Sequence, residues 1–132
     1  MSEINRPLLC LLTACWLLFA ARLNAQVVIN EIHYEPENKT AAEEFIELHN
    51  ASEAPVDLSG WYFSNGITFT FPDGTLLPAG GYLVVAEDPA VLADNLSFED
   101  ASGPWEGRLD NGGETLTLRD ATGARVDEVD YQ

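Results

Sequence analysis

Residues 61–86, WYFSNGITFTFPDGTLLPAGGYLVVA, decide the fold class. Asn65-Gly66 stands between Trp61–Phe63 and Ile67–Phe71, and an Asn-Gly pair between apolar runs is a strong hairpin signal because both residues tolerate positive φ. Ile67, Phe69 and Phe71 alternate with Thr68 and Thr70, which gives one buried and one exposed face. Pro72-Asp73-Gly74 and Ala79-Gly80-Gly81 supply the next turns. Tyr82–Ala86 is apolar on both faces and reads as a central strand.

The same grammar extends in both directions. Val27–Tyr34 is rich in β-branched residues, and Glu35–Thr40 is a polar loop containing a proline. In Glu44–Asn50, Ile46 and Leu48 fall on one face while Glu47 and His49 fall on the other. Val56–Gly60 reads as a turn into the Trp61 strand. Asp88-Pro89 predicts a cap for one short helix over residues 90–93, with proline in the first turn. Residues 95–107 have no period. Asp110–Gly113 is a turn into Thr115–Arg119, with Leu116 and Leu118 facing one way, and Thr122-Gly123 leads into Val126–Tyr131. About seven short strands and almost no helix specify an all-β sandwich.

The chain has 132 residues, 46% apolar, enough for one domain. Six Lys and Arg against 22 Asp and Glu give a net charge of −16. That charge argues against binding nucleic acid, whose phosphates require cationic partners, and against anionic lipid. The first 25 residues stand apart. A short polar start with Arg6 leads into the apolar run Leu8–Ala21, and Arg22–Ala25 returns to polar character, the order of a secretory signal peptide. Fourteen apolar residues fall short of the ~20 that span a bilayer. Leu12-Thr13-Ala14-Cys15 resembles a lipidation box, but Trp16–Phe19 stays apolar where such a chain turns polar. The expected organisation is therefore a signal peptide over 1–25 and one domain over 26–132, secreted or at the cell surface, with no membrane span after cleavage. Cys10 and Cys15 leave with the leader. Without Arg6, Arg22 and Glu3 the domain carries four cationic and 21 anionic side chains, a net of −17.

The segments VVINEIHY, EEFIELHN, VDLSGWYFSNGITFTFPDGTLLPAGGYLVVAEDPA, GPWEGRLDNGGETLTLRD and VDEVDY together resemble a lamin-tail domain, most closely the version in secreted bacterial multidomain proteins. The resemblance covers nearly all of residues 27–131. It implies an immunoglobulin-like β-sandwich, and an accessory module beside hydrolase, spore-coat-kinase-like or attachment domains, with no catalytic residue. It also implies a further strand beyond Tyr131, so that the domain reads as incomplete and prone to self-association.

No residue pattern supports catalysis. There is no G-x-S-x-G elbow, P-loop or H-E-x-x-H sequence, and Lys39 is the one lysine. No cofactor is expected. Metal has one candidate set: Glu31-x-His33 and Glu47-x-His49 each place two ligand types on one strand face. If those strands pair with 31 opposite 49 and 33 opposite 47, four donors converge as zinc requires. The alternative is two histidines on a polar face. No calcium loop of the D-x-[DN]-x-[DN]-G type occurs. Trp61, Ile67, Phe69, Phe71, Leu116 and Leu118 are the expected core, and Asn50 is expected to bond a nearby turn backbone. The leading reading is a non-catalytic module for protein interaction, surface attachment or spacing, its partner a protein or cell-surface component. The rival is a carbohydrate- or surface-binding module that uses Tyr62 and Trp105 as exposed rings. A third reading is an accessory domain of a secreted enzyme.

Overall fold

The computed structural model describes residues 26–37 and 41–132. The expected signal peptide, both cysteines and Lys39 lie outside the described residues, as does any strand beyond Gln132. The elements in chain order are β1 (Val27–His33), β2 (Phe45–Asn50), β3 (Val56–Asp57), β4 (Tyr62–Phe63), β5 (Phe69–Thr70), β6 (Leu76–Leu77), β7 (Tyr82–Ala86), α1 (Pro89–Leu96), β8 (Glu114–Arg119) and β9 (Arg125–Tyr131). Sheets of order β1-β2-β7 and β5-β4-β8-β9 are joined by the small pair β3-β6, and all named pairings are antiparallel. Alternation within each strand sends one set of side chains into a shared core. Val27, Ile46, Leu48 and Val85 come from the first sheet, while Phe63, Leu116 and Leu118 come from the second. This is an immunoglobulin-like all-β sandwich.

The Asn65-Gly66 turn joins β4 to β5, with Tyr62 opposite Thr70 and Phe63 opposite Phe69. Gly66 sits at φ +83°, which demands glycine, and a Cβ there would also crowd Leu116 Cδ1 at 3.0 Å. Ile67 and Phe71 are buried, as are Leu116 and Leu118 on β8. Trp61 and Phe69 are half-buried and pack against the core from its margin.

Three local outcomes differ from the expectations. β3 and β6 add two strands of two residues each, too short to leave an alternation. The helix is twice the expected length. Asp88 accepts from the N–H groups of Ala90 and Val91 at 3.0 and 3.4 Å, Pro89 opens the first turn, and Ser97 at φ 56° ends it by donating to Ala93 O. β7 ends its sheet instead of lying at the centre. Its two apolar faces have separate destinations. Leu83 and Val85 join the main core, while Val84 and Ala86 pack with Leu92 of α1 in a second cluster on the outer surface. The free edge of β7 is met by the aperiodic segment: Ala86 N–H donates to Ser102 O at 2.9 Å and Ser102 N–H to Val84 O at 2.8 Å. Glu106 likewise exchanges two backbone hydrogen bonds with Thr68. A stretch with no period of its own is thus held by long-range pairing.

Candidate functional site

The outer face of the first sheet collects the residues singled out for metal, and its register decides their fate. Val27, Val28 and Ile29 lie opposite Asn50, His49 and Leu48. An irregularity between Ile29 and Glu31 then shifts the pairing, so that Glu31 faces Glu47 and His33 faces Phe45. The pairing of 31 with 49 and 33 with 47 that zinc would need does not form. His33 stacks on the Phe45 ring at 4.9 Å, and His49 stacks on Tyr82 at 4.3 Å while its Nδ1 lies 3.1 Å from Gly81 O. The two histidines therefore occupy separate cross-strand rows. Among the described residues, no three His, Cys, Asp or Glu side chains gather around a common point.

What the face does form is a groove of about 230 Å³ beside α1. Phe45 and Val84 line it from the sheet, Leu92 and Leu96 from α1, and Phe98 from the residues that follow the helix. Leu96 and Phe98 are 51% and 39% exposed and, unlike the more exposed Leu76 and Tyr82, lie together at one groove. Glu31 and Glu47 complete the lining as directly opposed carboxylates. Asn30 Nδ2 donates to Glu47 Oε1 at 2.8 Å. Like charges directly opposite on neighbouring strands oppose pairing.

A second cavity, of about 290 Å³, lies beside Glu44 and Arg108. The Glu44 side chain is only 3% exposed. Its Oε2 accepts from Leu109 N–H at 2.9 Å, and its Oε1 lies 3.9 Å from Arg108 Nε. Arg108 Nε is closer to Glu87 Oε1, at 3.2 Å. Burial pushes the Glu44 carboxyl above its ordinary value. The Leu109 bond pulls it down, the Glu87 charge pushes it up, Arg108 pulls down and Glu114 pushes up. The group latches the start of β2 and the residue after β7 to the 108–110 loop.

The aromatic candidates separate. Trp105, which the carbohydrate-binding reading needs as an exposed ring, is 5% exposed and belongs to the main core, because pairing of residues 102–106 with β7 and Thr68 draws it inward. Tyr62 is half-buried on β4, opposite Thr70 and Arg119. Asn50 is fully buried, and its Nδ2 donates to Ala54 O, Leu77 O and Pro78 O at 2.8–3.1 Å while its Oδ1 accepts from the Ser52 N–H and hydroxyl. Leu96 and Phe98 were missed by sequence reasoning. Their one local signal is an apolar pair set among Asp94, Glu99 and Asp100.

The two facing sheets and the loop-closing asparagine define an immunoglobulin-like module. Residues 20–132 match the family model described as Lamin Tail Domain, and the chain belongs to that family. A comparison with curated proteins found no match. Among the described residues, no helix is long and apolar enough to cross a membrane.

Proposed function

We propose that the protein is an exported, non-catalytic interaction module that attaches or spaces parts of a larger secreted or surface assembly. The observation that carries this reading is the family match over residues 20–132, since the family is immunoglobulin-like and such domains act through their surfaces. The leader pattern of residues 1–25 supports export, and the acidity favours a protein or cell-surface partner over nucleic acid. The carbohydrate alternative loses its main ring with the burial of Trp105.

Two measurements test the proposal together. N-terminal sequencing of protein recovered outside the cell should begin at Gln26; a lipid-bearing start at Cys15 overturns the soluble form of export. Incubation with insoluble polysaccharides and a glycan array should leave the protein in solution. Saturable retention on a glycan would overturn protein interaction as its role.

A further inference from the structure

The groove beside α1 combines three features. Two large apolar side chains, Leu96 and Phe98, are partly exposed beside Phe45 and Val84 of the sheet and Leu92 of the helix. Glu31 and Glu47 are cross-strand partners at the same groove, a like-charge pairing that opposes strand association and that Asn30 answers only at Glu47 Oε1 with a neutral donor. Finally, no Lys or Arg lines the groove among the described residues. Exposed Asp94, Glu99 and Asp100 extend the negative field around the Leu96–Phe98 edge.

We propose that this groove docks a short segment of a partner protein consisting of one large apolar anchor flanked by Lys or Arg. The anchor side chain lies over Phe45 and Val84 against Leu96 and Phe98, replacing water on those surfaces with apolar contact. The adjacent cation sits between the Glu31 and Glu47 carboxylates and relieves their repulsion. Charge complementarity selects this occupant. A second copy of the chain would bring net charge of its own sign to the same acidic rim, and an anionic lipid surface would be repelled by it. The proposal rests on the reading of the domain as a protein-interaction module and assigns that function a place and a partner chemistry.

Fluorescence anisotropy of the purified protein with three labelled ten-residue peptides tests it. One carries a phenylalanine flanked by two lysines in a Gly/Ser framework, a second has serine for the phenylalanine, and a third has glutamates for the lysines. The first should bind about tenfold tighter than either of the others at physiological salt. Leu96→Asp and Phe98→Asp, at exposed positions where folding is not at stake, should each weaken the first peptide about tenfold. Glu31→Lys with Glu47→Lys should weaken it and favour the glutamate peptide instead. Equal binding of the serine peptide would mean attraction by net charge alone and overturn the groove, while leaving the interaction-module reading intact. Binding of the first peptide unaffected by Leu96→Asp and Phe98→Asp would overturn it too. A concentration-dependent dimer abolished by Leu96→Asp would assign the groove to a second copy and also overturn the proposal. Failure of the broader reading shows elsewhere, as retention on polysaccharide.

Discussion

Asn50 shows how much structure one polar side chain can hold. It closes three backbone carbonyls and a serine around itself inside the core, linking the end of β2 to the 51–54 turn and to the end of β6. Removal leaves buried acceptors without donors, which costs the desolvation of each. Asn50→Ala should lower stability by about 2–4 kcal/mol in urea unfolding, and Asn50→Asp by more, since a carboxylate would face three carbonyl oxygens. Thr68→Ala, on the exposed face of the hairpin, should change stability by less than about 0.5 kcal/mol. Glu44 makes a different prediction. Its carboxyl is raised chiefly by burial, so the folded state binds that proton more tightly than the unfolded state does. Its contribution is then most favourable below the ordinary glutamate value of about 4.3 and declines as pH rises through the raised folded value. Glu44→Gln keeps an acceptor for Leu109 N–H but carries no charge. The stability of the native protein relative to this variant should therefore fall as pH rises from below the ordinary glutamate value through the raised folded one. A pH-independent difference would show that Glu44 titrates normally.

Among the elements, α1 is the one whose presence turns an ordinary sheet face into a groove. Its eight residues are too few for an isolated helix to persist in water. Leu92, packed on Val84 and Ala86, and the Asp88 cap hold it. Asp88→Ala should cost about 1 kcal/mol. The loss should be concentrated locally: hydrogen exchange of the 90–96 amides should accelerate while β2 and β8 keep their protection. Uniform acceleration across all strands would mean that the helix and sandwich unfold as one unit. β9 shows the opposite kind of support. It pairs along its whole length with β8, and Asp127 on it accepts from Ile29 N–H of β1 at 2.7 Å, a side-chain bond that crosses from one sheet to the other.

At the scale of the whole molecule the dominant quantity is charge. Residues 26–132 carry −17, and their three described cations, Arg108, Arg119 and Arg125, are placed singly. Arg108 is engaged by Glu87 and Glu44, and Arg125 by Glu128. Self-repulsion of this size destabilises the compact state and is screened by salt. Raising sodium chloride from about 0.02 M to 0.5 M at neutral pH should therefore raise the melting temperature by several degrees, on the order of 1 kcal/mol. The gain should vanish below about pH 3, where most carboxylates are protonated. A melting temperature indifferent to salt at neutral pH would mean that the acidic groups are spread widely enough not to interact.

The sequence by itself determined the all-β class, the Asn65-Gly66 hairpin, the inward faces of β2 and β8 and the cap at Asp88. Each of these is written in residues that are neighbours along the chain, through a period of two, a turn dipeptide or a capping side chain. Tertiary structure alone decided the rest. A strand period of two is blind to register: Val28, not Glu31, lies opposite His49, which already dissolves the four-donor set, and the irregularity near Asn30 then sets Glu31 against Glu47. Trp105 in an aperiodic stretch has no local signal for burial; its place follows from pairing with β7, about twenty residues earlier. Glu44 reads locally like any solvated carboxylate at a strand end. Its burial depends on the backbone N–H of Leu109, 65 residues away, and such contacts exist only once the chain has closed on itself.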